Sequence, residues 1–291
     1  MQCLLLFVVI LYVTDVNTQL LQLKNFKVGE CTYQGERKQS PEPSPCSSSK
    51  TTKLRNASPN AALWDDGRVP YILKGSFTDR QKSILEKVMG LYKYYTCIKF
   101  VPKTRNDKSY AKIINEVNTC CSEIGKVPGG GFTVVDLGPR CFEEEEAGTV
   151  IHELMHLIGF YHEHNRSDRN DYIELTLANV NPNYTSEFDI ESGNTFNIPY
   201  DYDSTMHYGP FHGARSYSHK IFVPKDKSVS ESRLGQICGF SKRDITKINI
   251  LYNCPQKTAE LNLKDDLLYG VDISTAEQVK YEKNVNQCTT C

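Results

Sequence analysis

Four of the chain's seven histidines lie in one stretch of twenty residues, VIHELMHLIGFYHEHNRSDR, which begins at Val150. His152 and His156 are four residues apart, so a helix would place both imidazoles on one face, one turn apart. Glu153 would project beside them. Two imidazoles at this spacing with an adjacent carboxylate are typical of a metal site, and the carboxylate can take a proton from a water molecule held there. The spacing therefore predicts a metal centre with hydrolytic chemistry.

A third ligand follows the helix. Catalytic zinc normally takes three protein ligands and keeps a fourth position for water. Gly159 allows a sharp end to the helix, since glycine tolerates a left-handed backbone, and His162 can then return to the same ion. Composition alone would produce this combination by chance in on the order of one in 10^5 chains. We therefore predict one Zn²⁺ per chain, held by His152, His156 and His162, with Glu153 as the catalytic base.

The overall composition is that of an ordinary globular protein. The formal net charge is −1, and no long basic run or basic patch with interleaved aromatic residues occurs, so we expect no nucleic-acid partner. Leu4 to Val13 is an uncharged apolar run that is too short to span a membrane and is followed by small polar residues. It predicts a signal peptide over residues 1–18, a secreted, extracellular protein and no membrane partner.

Residues 19–55 differ in composition from the rest of the chain. They include the Ser- and Pro-rich stretch KQSPEPSPCSSSKTTK, which has no apolar periodicity and cannot form a core. Residues 1–55 carry seven Lys or Arg and four Asp or Glu, whereas the rest carries 27 basic and 31 acidic residues. We therefore expect residues 19–55 to be a cationic prosegment that docks on an anionic domain as its inhibitor.

Beyond Asn56 the pattern predicts a folded α+β domain. Thr78 and Asp79 predict a helix start, and apolar residues at helical spacing continue to Tyr95. A last helix is predicted from a Ser241 cap to Cys254. Short runs rich in β-branched and aromatic residues, bounded by turn residues, predict four strands: Val69–Leu73, Cys97–Val101, Tyr110–Ile114 and Phe132–Leu137.

The stretch HELMHLIGFYHEHNRSDRNDYI closely resembles the active-site signature of the astacin family of zinc metallopeptidases, part of the metzincin group. Glu163, directly after the third histidine, separates astacins from other metzincins. A second segment, DSTMHYG from Asp203 to Gly209, resembles the Met-turn of the family. The resemblance implies a two-lobed domain over residues 56–255, with a twisted sheet and helices in the upper lobe and an irregular lower lobe with a C-terminal helix. Residues 256–291 would form a cysteine-containing tail.

The resemblance also implies roles for further residues. Met206 is expected to pack beneath the zinc, and Tyr208 to be a fifth metal ligand that swings away to donate a hydrogen bond to the reacting oxyanion. The triplet RNA at Arg55–Ala57 resembles the maturation site of the family. After cleavage there, the new amino terminus at Asn56 is expected to bind Glu163, whose role is then structural.

The expected prosegment offers only FKVGEC, at Phe26–Cys31, where family members commonly block the zinc with an aspartate. Either Glu30 or the thiolate of Cys31 takes the place of that aspartate, or Cys31 forms a disulfide with Cys46. The resemblance thus implies a zymogen that is inhibited by its own prosegment.

The chain has eleven cysteines, and an extracellular location predicts that they form disulfides. Loss of Cys3 with the signal peptide leaves an even set. The resemblance implies the pairs Cys97–Cys254 and Cys120–Cys141, and the doubled cysteine in NTCCSEIG makes Cys121 an alternative to Cys120. The extra cysteines either join the tail to the domain or link two chains, which leaves the oligomeric state open: Cys121, Cys238, Cys288 and Cys291.

These features predict an endopeptidase that acts on protein or peptide substrates. Many astacins favour an acidic residue just after the scissile bond, and the candidate basic side chains here are Lys225, in FVPKDK, and Arg215. Asn165 and Asn183 begin sequons for N-glycosylation, which an exported glycoprotein would expose, and Asn56 begins another at the expected new terminus.

Two other readings remain open. The chain could be a catalytically idle binding protein on the same fold, against which the intact His152, Glu153, His156, His162 and Tyr208 argue. A different metzincin branch is disfavoured by Glu163 and by the tyrosine that follows Met206.

Overall fold

The computed structural model describes residues 62–116, 118–143, 147–191 and 193–255. The expected signal peptide, the prosegment, the maturation site at Asn56 and the tail over residues 256–291 lie outside the described residues. Among the described residues, no helix is both long enough and apolar enough to cross a membrane.

A five-stranded sheet forms the first layer. Its strands are β1 (Arg68–Lys74), β2 (Lys99–Pro102), β3 (Ser109–Ile114), β4 (Cys120–Ser122) and β5 (Gly131–Leu137), in the spatial order β2-β1-β3-β5-β4. The neighbours β2, β1, β3 and β5 run parallel, and β4 pairs antiparallel with β5 at the edge. Four of these strands confirm the sequence prediction. The edge strand β4 was not predicted because three residues are too few to show an alternating pattern.

The helices α1 (Asp79–Tyr95) and α2 (Gly148–Leu157) share one core with the sheet. The predicted start of α1 is confirmed, since Thr78 and Gln81 form a reciprocal capping box that satisfies two otherwise unpaired backbone donors. The Tyr92 hydroxyl donates to the carbonyl of Ile151 at 2.8 Å and so links the two helices. The inward residues of the sheet are 0% exposed in this core: Val69, Ala111, Ile113, Val135 and Leu137.

The last helix, α3 (Lys242–Leu251), begins with the predicted cap at Ser241, which forms a capping box with Asp244. It ends three residues before the predicted end at Cys254. Although α3 follows the second half of the chain, its Ile245 and Ile248 belong to the same core as α1 and α2. The helix therefore leads the chain back to the upper lobe.

A second, separate core defines the lower lobe. The strands β6 (Ile173–Leu175) and β7 (Phe222–Pro224), which are distant in the chain, form a short antiparallel pair, and several 3-10 helices lie in the same part of the sequence. Aromatic residues dominate this core, among them Tyr184, Phe188 and Tyr200. The two cores correspond to the two expected lobes, and the mixed sheet with helices confirms the α+β class.

The structure contains the two disulfides that the resemblance implied. Cys97–Cys254 joins the end of α3 to the chain before β2, and Cys120–Cys141 joins β4 to the turn after β5. Cys121 is also disulfide-bonded, as is Cys238, so Cys121 does not replace Cys120 as the partner of Cys141.

Candidate metal centre

The helix α2 brings the first two histidines to the site. Its first residue, Gly148, lies against the backbone of Ile237, where an added Cβ would be 1.6 Å from the carbonyl oxygen, so no larger residue fits there. Gly159 follows the helix with φ +108, a left-handed conformation that confirms the predicted sharp exit. His162 then returns towards His152 and His156, as the spacing predicted.

The three imidazoles converge on one point. The Nε2 atoms of His152 and His156 are 3.1 Å apart, those of His152 and His162 are 3.2 Å apart, and those of His156 and His162 are 3.1 Å apart. A tetrahedral zinc ion with Zn–N bonds of about 2.0–2.1 Å would separate its ligand nitrogens by about 3.3–3.4 Å. The triangle therefore has close to the dimensions that a single metal ion requires, and these three residues could hold one.

The hydrogen bonds of the Nδ1 atoms determine which nitrogen of each imidazole presents its lone pair to the point where the rings converge. His152 Nδ1 lies 2.7 Å from the carbonyl oxygen of Thr205, and His156 Nδ1 lies 2.7 Å from that of Phe160. A carbonyl oxygen only accepts, so each Nδ1 carries the hydrogen and each Nε2 presents a lone pair. Two lone pairs 3.1 Å apart cannot hydrogen-bond to each other, which makes a cation between them the chemistry that fits this donor set.

The histidines are held in the form that binds metal. Burial lowers the pKa of His152, and burial together with the neighbouring His152 lowers the pKa of His156 to about 3. The pKa of His162 is also well below its usual value, first because of burial and then because of the adjacent imidazoles. All three rings are therefore neutral at pH 7, with lone pairs available for coordination.

Glu153 lies on α2 directly after the first histidine and is buried. Its Oε2 atom has no hydrogen-bond partner among the described residues. Burial, with a smaller effect from the charge of Asp136, raises the pKa of Glu153 to about 8. A carboxylate with such a high proton affinity beside a metal centre can accept a proton and later return it.

The expected Met-turn lies next to the histidines. Met206 is 1% exposed and belongs to the upper core, and its carbonyl accepts from the backbone N–H of Glu163 at 2.8 Å. The ring of Tyr208 lies 4.3 Å from the ring of His162, measured between centroids. The structure therefore brings Tyr208 to the third histidine and Met206 to the residue that follows it.

The residue after the third histidine forms a buried charge network. Glu163 Oε2 accepts from Lys247 Nζ of α3 at 2.6 Å, and Oε1 accepts from Arg166 Nη1 and from the backbone N–H of Asp201, both at 3.0 Å. Burial alone would raise the pKa of Glu163, but the charges of Lys247 and Arg166 outweigh it and keep the pKa below its usual value. The carboxylate is therefore ionised and fully paired, as a structural residue requires.

The sequence did not indicate two residues of α3 that position the site although they are far from the histidines in the chain. Asp244 of α3 accepts from Ser204 Oγ at 2.6 Å and from the backbone N–H of Thr205 at 2.9 Å, and so fixes the carbonyl that orients His152. Lys247, one turn later, binds Glu163. Asp244 was visible only as a capping residue, and no local pattern linked Lys247 to the histidines.

The candidate specificity residues lie in the lower lobe. Lys225 Nζ donates to the carbonyl of Asn170, and Arg215 Nε donates to the carbonyl of Val180 at 2.8 Å. Both side chains are therefore bound to lower-lobe backbone rather than to the three histidines.

One expected sequon is inaccessible. Asn165 is 4% exposed, and its side-chain amide donates to the carbonyls of Glu187 and Asp189 at 2.7 Å each. A glycan on this nitrogen would disrupt both hydrogen bonds and the packing around them. Asn183, by contrast, is exposed.

Comparison with known proteins places these features in a family. A family model described as Astacin, a peptidase family, matches residues 56–253. Zinc metalloproteinase nas-13 of Caenorhabditis elegans is 37% identical over 199 residues, which cover 67% of this chain and 42% of the relative. The astacin-like metalloendopeptidase of Gallus gallus is 34% identical over 226 residues, which cover 77% of this chain and 51% of the relative. The match thus spans about half the length of these relatives.

A solved structure shares the fold. High choriolytic enzyme 1, a hatching enzyme zinc-protease from Oryzias latipes (medaka fish), superposes with a TM-score of 0.59 at 31% sequence identity. The similarity covers 67% of this chain and 94% of that chain.

The histidine triangle predicts a metal-dependent stability. A chelator should lower the Tm of the wild-type protein, since an ion present at 100 times its Kd stabilises the folded state by about 2.7 kcal/mol. His156→Ala should lose the ion and become insensitive to the chelator. His219→Ala, which alters an exposed histidine, is the control and should behave as wild type. Metal analysis by mass spectrometry together with calorimetry measures this, and a wild-type Tm that the chelator leaves unchanged would contradict it.

Proposed function

The chain belongs to the astacin family of peptidases, and from this premise we propose that it is a secreted zinc endopeptidase that is made as a zymogen and hydrolyses peptide bonds within proteins. The observation that carries the proposal is the triangle of three Nε2 atoms, two of which must present lone pairs to the same point. A structural cluster of histidines would instead pair those atoms with donors.

The proposal assigns a role to each residue of the site. His152, His156 and His162 hold one Zn²⁺ per chain. When bound, zinc lowers the pKa of a coordinated water and polarises the peptide carbonyl. Glu153 would accept the proton of the attacking water and deliver it to the leaving amine, for which its position directly after His152 on α2, with Oε2 unbonded among the described residues, is suited.

Tyr208 is the proposed electrophilic partner. Its phenol would be available as a further ligand when the ion is bound, and it would donate a hydrogen bond to the carbonyl oxygen as that atom gains negative charge. The contact of its ring with His162 supports this assignment. Met206 packs in the core below the histidines and supports the floor of the site.

The role of Glu153 predicts a loss of turnover without loss of metal. Glu153→Gln keeps the size and burial of the side chain but cannot accept a proton, so cleavage of denatured casein should fall by at least about 10²-fold while zinc content stays at one per chain. Glu174→Gln, an exposed substitution on β6, is the matched control. Unchanged turnover in Glu153→Gln would remove this residue from the mechanism, and zinc without any cleavage in the wild type would favour a binding protein.

We propose that a basic side chain of the lower lobe determines which residue is preferred after the scissile bond. Lys225 follows β7 directly, and both Lys225 and Arg215 are exposed side chains that donate to a backbone carbonyl, of Asn170 and Val180 respectively. We take Lys225 as the first candidate to bind an acidic residue after the scissile bond and Arg215 as the second.

A peptide library tests this choice. Because an exposed ion pair contributes about 0.2–1 kcal/mol, Lys225→Ala should reduce a preference for Asp or Glu by at most about fivefold. Lys227→Ala, an exposed change two residues on, should leave it unchanged. If the preference disappears only in Arg215→Ala, Arg215 is the determinant.

We propose that the new amino terminus formed by maturation binds beside Glu163. Glu163 lies near two further buried carboxyl groups, Asp201 and Asp244, and the cations that face this group are Lys247, Arg166 and Arg243. A cavity of about 20 Å³ lies beside Glu163, Asp244 and Lys247, which is room for one water molecule. An ammonium group at a new terminus, Asn56, would place a further positive charge beside these carboxyl groups, directly or through such a water.

The position of the amino terminus should therefore control activity. A protein that begins at Asn56 should be at least about tenfold more active than one that begins at Lys53, because the longer chain cannot bury its ammonium and leaves the site misaligned. Peptidase kinetics measure this, with zinc content and Tm as controls for folding. Equal activity of the two proteins would contradict the proposed maturation.

A further inference from the structure

The ring of Tyr208 lies between two imidazole rings. Its centroid is 4.2 Å from that of His164, with the planes at 30°, and 3.8 Å from that of His212, with the planes at 27°. Two rings this close and this nearly parallel to a third cannot share one of its faces. His164 and His212 therefore cover opposite faces of Tyr208 and form a slot around its phenol.

The two walls of the slot differ in burial. His164 is 0% exposed, and its Nε2 lies 3.2 Å from the carbonyl oxygen of Glu187. The backbone N–H of Tyr208 donates to His164 Nδ1 at 3.4 Å, so this inner wall is fixed to the tyrosine itself. His212 is exposed and forms the outer wall, on the solvent side.

The turn that carries His212 is firmly attached to the lower lobe. The backbone N–H of His212 donates to the carbonyl of Gly209 at 3.1 Å, and the carbonyl of Gly213 accepts from the backbone N–H of Asn181 at 2.8 Å. Gly213 has φ +75 and lies so close to Phe188 that an added Cβ would be 3.3 Å from its ring. The position of the outer wall is thus set by backbone contacts.

The residues after the turn add to this attachment. Ala214 forms a β-bridge with Val180. The backbone N–H of Arg215 donates to the carbonyl of Asn179 at 2.8 Å, and its Nε donates to the carbonyl of Val180 at 2.8 Å. His212 is therefore presented by a braced loop, even though its own side chain is on the surface.

We propose that His212 is a positioning residue for Tyr208: its ring closes the slot and restricts the phenol to motion in the plane of its own ring, between the metal and the reacting carbonyl. This inference rests on the role that the proposed function gives to Tyr208. The imidazole acts through its flat surface and makes no contact with the reacting atoms.

The physical reason is steric. A ring held between two others at about 4 Å on each side can slide in its plane but cannot tilt without clashing with one of them. Loss of the outer ring would open one face of Tyr208 to solvent and allow tilted orientations, in which the phenol oxygen is no longer aimed at the carbonyl. Small misorientations of a catalytic donor reduce the rate because its hydrogen bond to the transition state depends on direction.

The test compares a variant without the ring with one that keeps it. His212→Ala should lower kcat about tenfold and change KM less than about twofold, which is less than the roughly 10²–10³-fold loss from removing an oxyanion donor itself. His212→Phe retains a flat ring without nitrogens and should stay within about twofold of wild-type kcat. His219→Ala changes another exposed histidine that precedes β7 in the chain and is the matched control, and zinc content and Tm verify folding.

A second comparison shows whether His212 acts through Tyr208. In the Tyr208→Phe background the phenol oxygen is gone, so adding His212→Ala should cause no further loss of kcat. Equal losses in the two backgrounds would overturn the proposal, because His212 would then act independently of the phenol.

Further outcomes also test the role of His212. Unchanged kcat in His212→Ala overturns the inference. A loss of kcat in His212→Phe as large as that in His212→Ala overturns it as well, because the ring nitrogens and not the ring surface would then be required. If His212→Ala does not fold, His212→Gln removes the ring in the same way and is read by the same criteria. An inactive wild-type enzyme would overturn the proposed function, whereas an active enzyme that is insensitive to these changes overturns only the role of His212.

Discussion

Two hydrogen bonds from imidazole nitrogens to main-chain carbonyls fix the orientation of two of the three histidines, and the geometry of the site depends on them. His152 donates to Thr205 and His156 donates to Phe160, each at 2.7 Å. These bonds fix the tautomer of each ring, and they turn both Nε2 lone pairs towards one point. The geometry of the metal centre is therefore set by backbone that lies outside the helix on which the two ligands sit.

The helix α3 stabilises that backbone. Asp244 accepts from Ser204 and Thr205, and Lys247 donates to Glu163, so one helix fixes both the segment whose carbonyl orients His152 and the residue that follows His162. Both side chains are buried and charged. Removal of one partner from a buried ion pair such as Lys247–Glu163 leaves an uncompensated buried charge and typically costs about 3–5 kcal/mol, so this pair is sensitive to single changes. The Cys97–Cys254 bond ties the far end of α3 to the chain before β2.

The proposed catalytic tyrosine lies where the chain passes from one core to the other. Met206 is packed in the upper core with α1, α2 and α3, whereas Tyr208, two residues later, packs against the aromatic core of the lower lobe. Its ring also contacts His162 and is enclosed by His164 and His212. Tyr208 is therefore in contact both with the three-histidine cluster and with the core of the lower lobe.

The sequence by itself determined the parts of this protein that follow from local spacing. Helical periodicity and the positions of His152, His156, Gly159 and His162 predicted a helix, a sharp exit and three converging imidazoles, and four strands were visible in β-branched runs. The edge strand β4, with three residues, was too short to leave a pattern.

Only the tertiary structure decided what holds the ligands and which polar groups are accessible. Lys247 is 84 residues from Glu163, and Asp244 is 39 residues from Thr205. The sequon at Asn165 is typical of a surface site but is buried, and His212, which no sequence motif singled out, stacks on Tyr208. The physical reason is that hydrogen bonds, ion pairs and ring stacking act at a few ångströms, so they depend on how distant segments pack and leave no periodic trace along the chain.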